Sequence, residues 1–131
     1  MYRVSLSALC LNLLLLSAAA PLHAQSPNAE AQLQTFASCV GRFSAAAENE
    51  WDLSGTVSAT TRARRDAIVE IVAAILPEDR HRDALNWRNS AKQAQRRLLT
   101  RARFASDSAE AAWAASQAKR FEQECAALLT L

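Results

Sequence analysis

Helix-breaking residues are almost missing from this chain. Its 131 residues hold two glycines and three prolines against 29 alanines. Alanine is the strongest helix former, and glycine and proline are the weakest. Runs of β-branched or aromatic residues with strand-like alternation are few. The expected fold is therefore all-α.

The first 24 residues read as a cleaved secretory signal rather than as part of that fold. Arg3 gives a short basic start, Leu6 to Ala20 is rich in leucine and alanine, and Gln25-Ser26-Pro27-Asn28 is polar. The apolar stretch of fifteen residues falls short of the roughly 20 that a bilayer-spanning helix needs. Leu22-His23-Ala24 places a small residue before the cut, and an uncleaved anchor is the alternative. Cys10 lies inside the apolar stretch behind bulky Leu9, which argues against lipidation. Thirteen arginines against two lysines, with the alanine excess, point to GC-rich coding and a bacterial source. The expected location is the periplasm, with secretion as the alternative.

Gln25 to Leu131 leaves 107 residues, enough for one domain and too few for two. Four helices can be placed in it by apolar period and by breakers. The first starts at Ser26-Pro27 and ends near Ser54-Gly55. Its stripe is Leu33, Phe36, Val40, Phe43, Ala47 and Trp51. The second covers Ala59 to Leu76, with Ile68, Ile71, Val72 and Ile75 on one face. Pro77 disfavours helical geometry at Leu76 and breaks the chain there. The third runs from Glu78 to Ala105 along Ala84, Trp87, Ala91, Ala94, Leu98, Ala102 and Ala105. The fourth opens on Asp107 and Glu110, the spacing of a capping box. Its stripe is Ala111, Ala114, Ala118, Phe121, Cys125 and Leu128. Heptad-like spacing and short turns predict an antiparallel, up-down bundle of about four helices.

Without the signal, Cys39 and Cys125 are the only cysteines, so an oxidising compartment allows one intramolecular bridge. The bridge would staple the first helix to the last and set an antiparallel register. That register also brings Phe36 level with Leu128, Phe43 with Phe121 and Trp51 with Trp113. Catalytic thiols usually lie close in sequence, and these are 86 positions apart, so the pair reads as structural. Gly41 lies inside the first helix with Ala37 and Ala45, a small-residue ridge suited to close approach of another helix. That helix belongs to this bundle or to a second copy.

No constellation for chemistry stands out. His81 is the only histidine after the signal, and structural zinc wants four nitrogen or sulfur ligands. There is no nucleophile elbow, phosphate-cradling glycine loop or haem attachment motif. No cofactor, metal or catalytic residue is expected, and a non-enzymatic role follows. Glu48, Glu50 and Asp52 at the end of the first helix read as a solvated acidic end.

Charge is distributed unevenly. Arg62 to Arg103 carries eleven basic and five acidic residues, a net of +6. Arg88, Lys92 and Arg96 recur at four-residue spacing on one helix face, with Arg97 and Arg101 in a second row. Three readings compete for this face. It is solvated and partly neutralised by neighbouring acids, or it meets an acidic protein partner, or it meets anionic lipid or polymer. Nucleic acid is not expected, because export removes it and no aromatics interleave with the arginines. Trp87, set among alanines, is a candidate partner anchor. The leading expectation is a protein that binds or assists another envelope protein, with an anionic lipid or polymer as the alternative ligand.

Overall fold

Gly55 ends the first helix and Gly41 decides what packs against it. The computed structural model describes residues 27–130, so the expected signal segment, the expected helix start at Ser26, and Gln25 and Leu131 lie outside the described residues. Helix α1 spans Pro27–Ser54. It stops at Gly55, which takes the left-handed conformation at φ +71° and returns its N–H to the Trp51 carbonyl at 2.7 Å. Helix α2 spans Ala59–Ile75, with Ser58 as N-cap accepting from the Thr61 amide. The chain is extended at Leu76, as the following proline dictates. A single 3-10 turn, Glu78–Arg80, leads into α3, His81–Phe104. Helix α4 spans Ser108–Ala127 behind its Asp107 cap. Only half of the expected capping box forms. Asp107 accepts from the amides of Ala109 and Glu110, while the Glu110 side chain turns to Arg101 instead.

The chain direction alternates, giving an up-down four-helix bundle. Glu50 meets Ser58 and Thr61 across the first turn, so α2 descends beside α1. Arg101 meets Glu110 and Gln95 meets Ala118, so α4 descends beside α3. Helices α1 and α3 rise together: Glu30 pairs with Arg80 near one end, and Glu48 pairs with Lys92 toward the other.

This parallel pair is the tightest contact. A Cβ built on Gly41 would stand 2.1 Å from the Arg88 carbonyl oxygen and 2.9 Å from the Lys92 nitrogen. The ridge of Ala37, Gly41 and Ala45 is therefore occupied within the bundle, by α3. Between Ala37 and Ala47 only Ser38 and Arg42 escape full burial, so α1 is the central helix. The others surround it, but α2 and α3 flank it without packing along each other.

Cys39 and Cys125 form the disulfide, with Cα atoms 5.5 Å apart. They sit in a core with Val40, Phe43 and Ile68, against which Phe36, Val72 and Leu128 pack. The rest of the expected α1–α4 register is only partly realised. Phe121 is half-buried under Arg42 rather than in this core. Trp51 and Trp113 are 61% and 51% exposed. The cause is that α4 reaches α1 around the disulfide and then follows α3, where Gln95 and Arg101 hold it.

Candidate functional site

The structure divides the predicted arginine rows. Lys92 forms an ion pair with Glu48, and Arg96 reaches the same carboxylate at 4.0 Å. Arg101 donates from Nε and Nη2 to Glu110 Oε1 at 2.9 and 2.7 Å. Arg88 and Arg97 make no ion pair among the described residues. Trp87 is half-buried, with the Arg80 guanidinium 5.6 Å from its ring centre. The acidic end of α1 also separates. Glu48 goes to α3, while Glu50 accepts from the Ser58 amide and the Thr61 hydroxyl at 2.7 and 2.6 Å. Burial works against ionisation of Glu50, but these hydrogen bonds outweigh it and hold the carboxyl below its ordinary range.

A network that the stripes missed lies between α1, α3 and α4. Gln95 is fully buried. It accepts from Arg42 at 3.4 Å and donates to the Ala118 carbonyl at 3.1 Å and to Glu122 at 2.9 Å. Arg42 stacks on Phe121, 4.0 Å from the ring centre. Burial lowers the Arg42 pKa, with Glu124 pulling the other way. Burial raises that of Glu122, against the hydrogen bond from Gln95. The four-residue step from Ala91 to Gln95 was a legible signal, but a polar side chain does not enter an apolar stripe. The network joins side chains to one another and to a helix carbonyl, which is a positioning role.

The parallel course of α1 and α3 brings their C-terminal ends to the same end of the bundle. The starts of α2 and α4 lie there too. That end carries Trp51, Leu53, Phe104 and Trp113, which are 61, 59, 70 and 51% exposed. The Arg101 guanidinium lies 5.7 Å from the Trp113 ring centre, and that of Arg103 lies 5.0 Å from Phe104. Arg97 and Asp52 add unpaired charges of both signs. The exposed apolar area at this end is unusual, because a small helical domain ordinarily turns its largest aromatics inward.

A second apolar feature is the slot left between α2 and α3, about 350 Å³ in volume. His81 borders it, and no group of three or more His, Cys, Asp or Glu side chains suited to a metal occurs among the described residues. No protein-family model, curated protein or solved structure matches the chain.

Proposed function

We propose that this is a non-enzymatic, exported bacterial envelope protein that binds or assists another envelope protein. Its proposed location is the periplasm, where oxidised thiols persist. One observation carries the reading: Trp51, Leu53, Phe104 and Trp113 are each exposed toward one end of the bundle, with Arg101 over Trp113 and Arg103 over Phe104. Tryptophan and arginine dominate the energetics of protein interfaces. The charges at this end are mixed, with Asp52 and Glu110 among Arg97, Arg101 and Arg103, which suits a protein surface better than a uniformly anionic one. A polyanion reading of Arg88, Lys92, Arg96, Arg97 and Arg101 is weakened because Lys92, Arg96 and Arg101 already face acids of this chain.

The test is site-specific photo-crosslinking in cells from positions 51 and 113, with position 119 on the far half of α4 as control. The expected result is one and the same partner captured from both tryptophan positions and not from 119. Different captures from 51 and 113, or equal capture from 119, would overturn the proposal.

A further inference from the structure

The end of α4 is held differently from the rest of it. As far as Glu122, polar contacts tie α4 to α3: Glu110 to Arg101, and both Ala118 and Glu122 to Gln95. Beyond Glu122, no ion pair or hydrogen bond joins α4 or the turn after it to another helix among the described residues. What remains is the Cys39–Cys125 bond and three part-buried apolar side chains, Ala126, Leu128 and Leu129.

Those few groups roof the main core. Val40 and Phe43 of α1 and Ile68 of α2 are almost fully buried, and the α4 side chains packed with them are Cys125, Ala126, Leu128 and Leu129. On the outer side of the bridge the two helices do not close on each other. A cleft of about 360 Å³ separates Ser38 and Arg42 of α1 from Glu124 and Leu128 of α4, and both cysteines line it. That seam is the side from which a thiol reagent approaches the bridge.

Helix ends open locally at a lower free energy than the core they cover. Here one covalent bond suppresses that opening, and no polar contact replaces it. We infer that residues 123–130 are a redox-operated lid on the Val40, Phe43 and Ile68 core, seated by the Cys39–Cys125 bond and released when a dithiol reduces it. A thiolate of the dithiol attacks one bridge sulfur, and the S–S bond breaks with its electron pair leaving on the other cysteine. The second thiol of the reagent then displaces the first cysteine from the mixed disulfide. Two electrons and two protons pass to the bridge, which becomes two thiols, and the dithiol becomes a disulfide. Released, the lid bares the Cys39 thiol, Val40 and Phe43, while Gln95 and Arg101 keep the rest of α4 on α3. The device is separate from the Trp51 and Trp113 end.

Alkylation of the reduced, purified protein by iodoacetamide between 0 and about 1 M urea, read at each cysteine by mass spectrometry, tests it. A lid that opens locally exposes little new surface, so the rate at Cys39 should change less than about twofold over this range. The reduced protein should keep the helical circular dichroism of the oxidised one. Opening through global unfolding would instead speed the reaction roughly tenfold. Leu128→Ala weakens the remaining apolar hold on the lid and should speed alkylation of Cys39 at least about fivefold, while Trp51→Ala should leave it unchanged. A rate that follows the urea dependence of global unfolding, or a Cys39 thiol that fails to react in the folded protein, would overturn the inference. So would loss of the helical signal on reduction, or equal effects of the two variants.

Discussion

Replacing Gly41 by alanine should destabilise the fold even though alanine is the better helix former. The added Cβ would stand 2.1 Å from the Arg88 carbonyl oxygen, against 3.4 Å for ordinary contact, so α1 and α3 must part by about 1.3 Å there. Both obstructing atoms belong to the α3 backbone, so no rotamer change relieves the clash. Overpacking of this kind costs about 1–3 kcal/mol, and a rigid backbone neighbour puts it at the upper end. Alanine returns about 1 kcal/mol through helix propensity. The net loss is about 1–2 kcal/mol, which in a domain of roughly 100 residues lowers the melting temperature by roughly 5–15 °C. Thermal unfolding followed by circular dichroism, with the disulfide intact, measures it. A Gly41→Ala protein that melts at or above the parent temperature would refute the close α1–α3 packing.

Reduction of the Cys39–Cys125 bridge, or its replacement by two alanines, opens a loop spanning 86 positions. In the chain-entropy model the loss is roughly 4 kcal/mol, read as a shift of the urea midpoint; an unchanged midpoint would contradict it. Gln95→Leu removes the partner of Arg42 and Glu122 inside the bundle and should cost about 1–3 kcal/mol by the same assay. Glu122 and Glu50 should give opposite pH signatures. Because burial raises the Glu122 pKa, its neutral form is favoured by folding, and stability falls as pH rises from the ordinary carboxylate range through the raised value. Glu122→Gln should remove that fall. Glu50 is held low by Thr61 and Ser58, so its contribution is present above the ordinary range and lost on acidification; Glu50→Gln should abolish that loss. Urea titrations from about pH 4 to pH 8 distinguish the two.

The helix boundaries were legible because they depend on local chemistry. Gly55 supplies a left-handed residue, Pro77 forbids a helical Leu76, and Asp107 caps α4, whatever surrounds them. The disulfide was legible by elimination. The arrangement of the helices was legible only in part. All four stripes share a near-heptad period, so periodicity alone does not say which helix lies against which. The Ala37, Gly41 and Ala45 ridge announced a close approach but did not name α3 as the partner. Gln95 escaped because its burial depends on three partners from two other helices, none near it in sequence. The tryptophans escaped for the reverse reason. Trp51 fits the α1 stripe and the disulfide register set Trp113 level with it, yet α4 leaves α1 away from the disulfide and both side chains stay mainly in solvent. The basic rows looked continuous along α3 until Glu48 and Glu110 took up Lys92, Arg96 and Arg101.

The proposed binding role rests on the exposed aromatics at one end, and the affinity of the crosslinked partner for a Trp51→Ala, Trp113→Ala double variant tests it most directly. Both side chains are mainly in solvent, so their truncation should leave the melting temperature within a few degrees of the parent. Interface tryptophans that act as hot spots contribute at least about 2 kcal/mol, a loss of roughly thirtyfold in affinity. Binding weakened by that factor or more, in a variant that is still folded, is the predicted result. Unchanged affinity in a folded double variant would contradict the assignment of this end as the partner-binding surface.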